Sequence, residues 1–406
     1  MSTFAYAKIL AFDQIVTEFR NLCSRLLISL PPPGKALKTE NAELHNEAQA
    51  ERACLAERDA EVRAKAIDEF AEKLKAVCDS IIKEERNHHA RPISWAIAYE
   101  DFKDFEHKII YYESSRGCPF SCSYCLSSID KRVRFRDLEI VKNELQIFID
   151  EKVPQVKFVD RTFNCKVSHA MAIWQYIHEH DNGVTNFHFE VAADLITEEE
   201  LELFDKMRPG LIQLEIGVQS TNEDTVCEIR RKMNFSKVGE MVTKVKEIGG
   251  IHQHLDLIAG LPNENYESFG KSFDDVFALR PEQLQLGFLK VLKGSYMYEN
   301  REAYGLIYRS EPPYEVLSTN WLSYEEMIRL KGIEQIVELY YNSHQYDKTL
   351  KEVLEGEESA FGFFESFADE YRGKGYHLVN HSRKEKYYIL KEFLEKRYPK
   401  MGEYYW

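Results

Sequence analysis

Tyr112-Glu113-Ser114-Ser115-Arg116-Gly117-Cys118-Pro119-Phe120-Ser121-Cys122-Ser123-Tyr124-Cys125 decides how this chain is read. It runs out of a short β-type segment, Ile109–Ser114, and sets three cysteines at CxxxCxxC spacing in a loop. In a loop, these separations let three sulfurs converge on one face of a small metal centre, whereas a single helix or strand points at least one of them away. Three thiolates leave a four-iron cluster with one iron lacking a protein ligand, open to an exogenous chelator. The alternative is a zinc site completed by a distant His or Cys. The remaining cysteines, Cys23, Cys54, Cys78, Cys165 and Cys227, are scattered. One tight cluster in a chain whose start lacks the pattern of a secretion signal suggests metal binding in a reducing compartment, the cytoplasm, rather than a disulfide scaffold.

Outward from this loop the pattern is regular. Strands are expected at Ile109–Ser114, Val156–Asp160, Phe187–Ala192, Leu211–Val218, His254–Leu261 and Gln283–Leu292. Helical segments fall between them near Leu138–Asp150, Ser168–His180, Thr197–Met207, Asn222–Arg230 with Ser236–Ile248, and Tyr266–Leu279. Successive strands joined by helices imply a parallel sheet, because parallel neighbours need crossover connections. With right-handed crossovers, the expected fold is α/β: a six-stranded parallel partial (β/α) barrel, a partial TIM barrel, with active residues at the C-terminal strand ends. This core occupies 107–292. After Lys293 the chain is expected to be mainly helical to residue 406, with segments at Ser323–Tyr341, Tyr346–Leu354 and Lys384–Arg397. Residues 1–95 differ in texture. A helical pattern from Tyr6 ends at Pro31-Pro32-Pro33, and 39–87 read as a long amphipathic or coiled-coil-like helix that offers a partner an apolar stripe.

The loop from Tyr112 to Cys125, with aromatic Tyr124 before the last cysteine, resembles the cluster loop of radical S-adenosylmethionine (SAM) enzymes. The resemblance implies a [4Fe-4S] cluster held by Cys118, Cys122 and Cys125, whose open iron binds SAM. It also implies a low-potential flavodoxin- or ferredoxin-type electron donor. SAM is then cleaved to methionine and a 5′-deoxyadenosyl radical that abstracts hydrogen from a substrate the sequence does not identify. Downstream motifs follow in the family's order. Glu190 in Phe187-His188-Phe189-Glu190 resembles the carboxylate that holds the SAM ribose. Leu214-Glu215-Ile216-Gly217-Val218-Gln219-Ser220 resembles a strand of the oxygen-independent coproporphyrinogen oxidase branch, which puts Gln219 beside the cofactor. Arg231, next to Arg230, falls where that branch has an arginine for the SAM carboxylate. His254-Leu255-Asp256-Leu257-Ile258-Ala259-Gly260-Leu261-Pro262 implies Asp256 at the ribose, with Ile258 and Gly260 near adenine.

Many relatives end their second strand in a glycine-rich turn whose Glu takes the SAM amino group. This chain has Val159-Asp160-Arg161-Thr162-Phe163-Asn164 instead, so Asp160 is the expected acceptor. That turn, the Ser114–Phe120 loop and the C-terminal region together resemble an uncharacterised cobalamin-type radical SAM family. Its members carry an N-terminal cobalamin domain and a C-terminal domain of unknown function. Residues 1–95 show neither the strand pattern nor the DxHxxG loop of such a domain, so the sequence does not support cobalamin. Cys165, just past the second strand, is a candidate substrate-side thiol.

The 406 residues suggest two to four structural units. With 53 Lys and Arg against 68 Asp and Glu, the net charge is −15, which argues against a broad nucleic-acid surface. No stretch approaches the roughly 20 apolar residues of a membrane span.

Overall fold

A computed structural model of the chain describes residues 108–399. The long helix expected over 39–87, the question of cobalamin at 1–95, and Cys23, Cys54 and Cys78 all lie outside the described residues. The described chain opens with β1 (Ile110–Tyr112) and a short antiparallel pair, β2 (Ser115–Arg116) and β3 (Arg134–Phe135), which closes the cysteine loop. Helices and strands then alternate: α1 (Leu138–Asp150), β4 (Gln155–Phe158), α2 (Val167–Glu179), β5 (Asn186–Val191), α3 (Glu198–Phe204) and β6 (Ile212–Gln219). They continue as α4 (Glu223–Glu228), α5 (Phe235–Ile248), β7 (His252–Ala259), α6 (Tyr266–Phe277) and β8 (Gln283–Phe288). The six long strands form one parallel sheet in the order β1-β4-β5-β6-β7-β8, the topology of a partial TIM barrel. Local chemistry starts the helices. Asp137 accepts from the first amides of α1, and Thr197 and Glu200 close a capping box on α3.

The strands alternate strictly, and the two faces differ. The outer face carries Phe158, Phe189, Leu214, Val218, Leu255, Leu257 and Leu286, all buried. Its densest packing is an aromatic cluster in which Phe163 lies 5.1 Å from Trp174 and 4.4 Å from Phe189, and Trp174 lies 4.9 Å from Phe204. Each such ring contributes about 1.5–3 kcal/mol by burial alone. The inner face carries Lys157, His188, Glu190, Gln213, Glu215, His254, Asp256 and Gln285. A closed barrel fills its interior with branched apolar side chains. This partial barrel instead has a polar concave face, and its apolar core lies between sheet and helices.

Beyond β8 come α7 (Tyr296–Glu299), β9 (Ile307–Tyr308), β10 (Val316–Ser318), α8 (Tyr324–Ile336, extended by a π turn over Val337–Tyr341), α9 (Asp347–Glu355), α10 (Ala360–Gly373) and α11 (Arg383–Arg397). The chain after β8 pairs with the β10 segment: Val291 N–H donates to Tyr314 O at 2.9 Å and Val316 N–H to Leu289 O at 2.8 Å. A second aromatic core joins α6 to α10 and α11, with Phe273 5.6 Å from Phe361 and Phe367 4.5 Å from Phe393. No helix among the described residues is long and apolar enough to cross a membrane.

Candidate metal and cofactor site

The cysteine loop is held from three sides. At its start, Asp160 accepts from Ser114 N–H at 2.9 Å, Ser114 Oγ at 2.7 Å and Ser115 Oγ at 2.6 Å. In its middle, Ser123 N–H donates to Ile229 O at 2.8 Å, and Ser123 O accepts from Met297 N–H at 3.0 Å. The loop is thereby clamped between the end of α4 and the first turn of α7. Cys118 Sγ lies 3.6 Å from Thr162 Oγ1, and Cys122 Sγ lies 3.9 Å from Arg231 Nη1. The three thiols open onto one cleft enclosing ≈ 860 Å³, open solvent included, at the C-terminal ends of the strands. Tyr124, Arg161, Thr162, Glu190, Glu215, Gln219, Arg231, Lys232 and Asp256 share its walls.

Several residues singled out in the sequence meet here. Arg231 donates to Tyr124 Oη at 3.3 Å and to the Gly217 carbonyl, while Arg230 turns away at positive φ and stacks over Tyr296. Of the two arginines, Arg231 is the one that lines the cleft. Strand β6 breaks register between Gly217 and Gln219, and Gln219 takes φ 76°. This left-handed backbone, disfavoured for a residue with a side chain, swings the amide over the cleft. A Cβ on Gly217 would crowd that amide, so the glycine makes room for it.

Asp160, Ile258 and Gly260 do not line this cleft. Asp160 is only 1% exposed, and the two loop serines occupy both of its oxygens. Without glycines, the turn after β4 folds Phe163 into the aromatic core and presents Arg161 and Thr162 to the cleft. Asp160 therefore buttresses the cluster loop. Gly260 stands at φ 90°, and a Cβ there would come within 2.7 Å of Val316 Cγ1. Close approach does require this glycine, and the neighbour on its Cβ side is β10. Ile258, half-buried, precedes it on β7. Cys165 is half-buried outside the cleft lining, and burial pushes its thiol up to about 11.

The sequence reading missed the charge array on the concave face. Lys157 Nζ lies 2.7 Å and His188 Nε2 2.9 Å from Glu215 Oε2. Burial opposes ionisation of Glu215, yet these two partners hold its carboxyl down to about 2. Glu190, its register partner on β5, goes the other way. Burial first, then the Glu215 charge and to a lesser extent Asp256, push it up to about 7. Burial also raises Asp256, against the pull of His254 Nε2 at 3.0 Å. The signal lay in the alternation Gln-Val-Lys-Phe, Asn-Phe-His-Phe-Glu and Gln-Leu-Glu, too polar on one face for a parallel strand packed on both.

The residues present fit a cluster with a polar small molecule. The cleft wall adds no His and no fourth Cys to the three thiols. Gln219 Oε1 and Arg231 Nε are buried with no hydrogen-bond partner, which suits groups that a ligand completes.

The radical SAM superfamily model matches residues 112–276. The chain contains a radical SAM domain. A second family, a protein of unknown function (DUF4080), matches residues 302–404. Relatives include the oxygen-independent coproporphyrinogen III oxidase of Salmonella typhimurium, 30% identical over 107 residues, which cover 25% of this chain and 23% of that protein. The ribosomal protein uS12 methylthiotransferase RimO of Porphyromonas gingivalis is 22% identical over 263 residues, 62% of this chain and 57% of its own. Among solved structures, the radical SAM methyltransferase TsrM of Kitasatospora setae, with cobalamin and a [4Fe-4S] cluster bound, is 18% identical with a TM-score of 0.45. That match covers 52% of this chain and 42% of TsrM. The chain thus spans about a quarter of the coproporphyrinogen oxidase and between two-fifths and three-fifths of the other two. A radical SAM domain is a [4Fe-4S]- and SAM-using domain, consistent with the fit above.

Proposed function

We propose that this protein is a radical SAM enzyme acting on a substrate not yet identified, in the reducing environment of the cytoplasm. The observation that supports it best is the meeting of Cys118, Cys122 and Cys125 with Glu190, Gln219, Arg231 and Asp256 in a single cleft. Cluster and SAM together supply one-electron cleavage of the sulfonium and a 5′-deoxyadenosyl radical that takes a hydrogen atom from the substrate. The protein's share is placement and shielding. The three cysteines hold the cluster at the mouth of the barrel. Glu190 and Asp256 accept from the ribose hydroxyls, with Glu190 poised between its two protonation states near neutral pH. Gln219 and Arg231 face the amino-acid end, with Arg231 braced by Tyr124 and the Gly217 carbonyl. Arg161 and Lys232, exposed at the rim, meet what enters.

The test is anaerobic reconstitution with iron and sulfide, followed by EPR of the reduced cluster with and without SAM and assay of 5′-deoxyadenosine. A SAM-dependent change in the cluster signal together with 5′-deoxyadenosine supports the reading. A stoichiometric zinc protein without visible absorption, or SAM binding without cleavage, refutes it. Hydroxocobalamin titration of the same protein checks for a cobalamin-dependent reaction, which stoichiometric binding would favour.

A further inference from the structure

The turn after β4 holds a buried carboxylate that the cofactor cleft does not use. Asp160 takes three hydrogen bonds, from Ser114 N–H, Ser114 Oγ and Ser115 Oγ. Three donors with none returned is the pattern of an ionised carboxylate, which only accepts. Burial raises its ionisation value, and the bonds from both serines oppose that rise. Behind Ser114 stands His169 on α2, with Nε2 3.1 Å from Ser114 Oγ. The Ser114 hydroxyl proton is committed to Asp160, so His169 donates from Nε2–H. Burial first, then the Lys166 charge, push this imidazole down to about 4, which leaves it neutral. The run from His169 through Ser114 to Asp160 therefore carries one negative charge and no positive one. Cations on the surrounding elements are turned elsewhere. Arg136 pairs with Glu144, Arg161 lines the cleft, and Lys166 lies over the Phe135 ring. Asp160, both serines and His169 are buried, and the rings of Phe135 and Phe163 flank His169 at 4.8 Å and 6.5 Å. In such surroundings a charge acts further than it does in water. The first cluster cysteine is close: Ser115 precedes Cys118 by three residues, and Thr162, two past Asp160, has Oγ1 3.6 Å from Cys118 Sγ.

We propose that Asp160 sets the reduction potential of the cluster carried by Cys118, Cys122 and Cys125, its fixed charge opposing the incoming electron. The assignment rests on the radical SAM reading, in which one electron passes from a low-potential donor to the cluster and then to the sulfonium. In the uptake step the donor is oxidised by one electron, the cluster is reduced by one, and no proton or group moves. A negative charge nearby makes that uptake harder. The same charge makes the electron, once loaded, easier to pass on to the sulfonium. Ser114 and Ser115 fix where the charge stands, and His169 fixes Ser114. Asp160 is thus a positioning residue that acts through the loop and across space. Loop geometry and charge are separable, because a substitution can remove either one and keep the other.

The experiment uses the full chain, reconstituted anaerobically with iron and sulfide and assayed for iron. The midpoint potential is read without SAM, by EPR during titration with dithionite and redox mediators. Asp160→Asn, which keeps the shape and removes the charge, is expected to raise the potential by about a tenfold change in the one-electron equilibrium, about 59 mV. Asp160→Glu keeps the charge and should stay much nearer the parent. Ser115→Ala removes one hydrogen bond and leaves the charge, so it should shift the potential far less than Asp160→Asn. His169→Lys leaves Asp160 and both serines in place and sets a cation beside them; it should raise the potential as Asp160→Asn does. The assignment is overturned if Asp160→Asn with a full cluster keeps the parent potential, or if Ser115→Ala shifts it equally. Should Asp160→Asn fail to hold iron, His169→Lys decides, and a parent-like potential there overturns the assignment. A parent protein that forms no four-iron cluster, or whose cluster signal ignores added SAM, would instead refute the radical SAM reading itself.

Discussion

Replacing Glu190 by Gln is expected to stabilise the iron-free protein at pH 8 while weakening SAM binding. Glu190 carries an ordinary carboxyl value of 4.5 up to about 7, mainly through burial and then through the Glu215 charge beside it. A carboxyl raised in the folded state favours folding fully below its unfolded value. That contribution is lost as pH climbs toward the folded value, because the folded protein then holds a proton that the unfolded chain has released. At about 1.4 kcal/mol per pH unit, the interval between the two values sets an upper figure of about 3 kcal/mol. Glu190 is only half-buried, and solvent screening brings the expected figure to about 1–2 kcal/mol. Glutamine keeps the shape and never ionises, so the variant should avoid this loss. Urea unfolding followed by circular dichroism, with thiols kept reduced, gives the comparison: nearly equal stabilities at pH 4.5, and a variant ahead by about 1–2 kcal/mol at pH 8. A difference that does not change with pH, or a variant less stable at pH 8, would refute the electrostatic account of the concave face.

Cys122→Ala should abolish the iron-dependent visible band and SAM cleavage, whereas Cys227→Ala should leave iron content unchanged; iron assay and absorption spectra check both. Asp256→Ala should weaken SAM binding by about one to two powers of ten without stripping the cluster, as expected for losing one buried hydrogen-bond partner, and equilibrium binding with parallel iron assay separates the two effects. Gln219→Gly should relieve the φ 76° backbone and raise the thermal midpoint while reducing SAM affinity, a combination that scanning calorimetry and titration read together. Gly260→Ala should destabilise by about 1–3 kcal/mol through its φ 90° backbone and the 2.7 Å approach to Val316; adding Val316→Ala should recover part of that loss, as a double-mutant cycle in urea would show.

The barrel was legible because each strand alternates. The expected segments Leu211–Val218 and Gln283–Leu292 correspond to Ile212–Gln219 and Gln283–Phe288, and the helix at Leu138–Asp150 agrees at both ends. Helix α10, Ala360–Gly373, was not legible. Its buried Phe361, Phe363, Phe364 and Phe367 are packed from several sides, which erases the one-sided period that sequence reading depends on. In the site, residues carried by contiguous motifs, namely the three cysteines, Glu190, Gln219 and Asp256, reach the common cleft. Asp160 does not, because its fate depends on Ser114 and Ser115, more than 40 positions away in the chain. Nothing local to Gly260 reveals that β10 returns to lie against it. The Lys157–His188–Glu215 group draws one member from each of three strands and forms no contiguous motif at all.

A barrel whose apolar contacts all lie behind the sheet separates two things that a filled barrel joins. The outer face and its helices carry the burial that keeps the molecule folded, and the concave face carries ionisable groups whose exchange costs little packing. Substitutions on that face alter what is bound without a repacking problem, provided the charge balance around Glu215 is kept. Evolutionary drift in substrate should therefore register at positions such as Lys157, His188, Gln213 and Gln285, while the rows that alternate with them stay apolar.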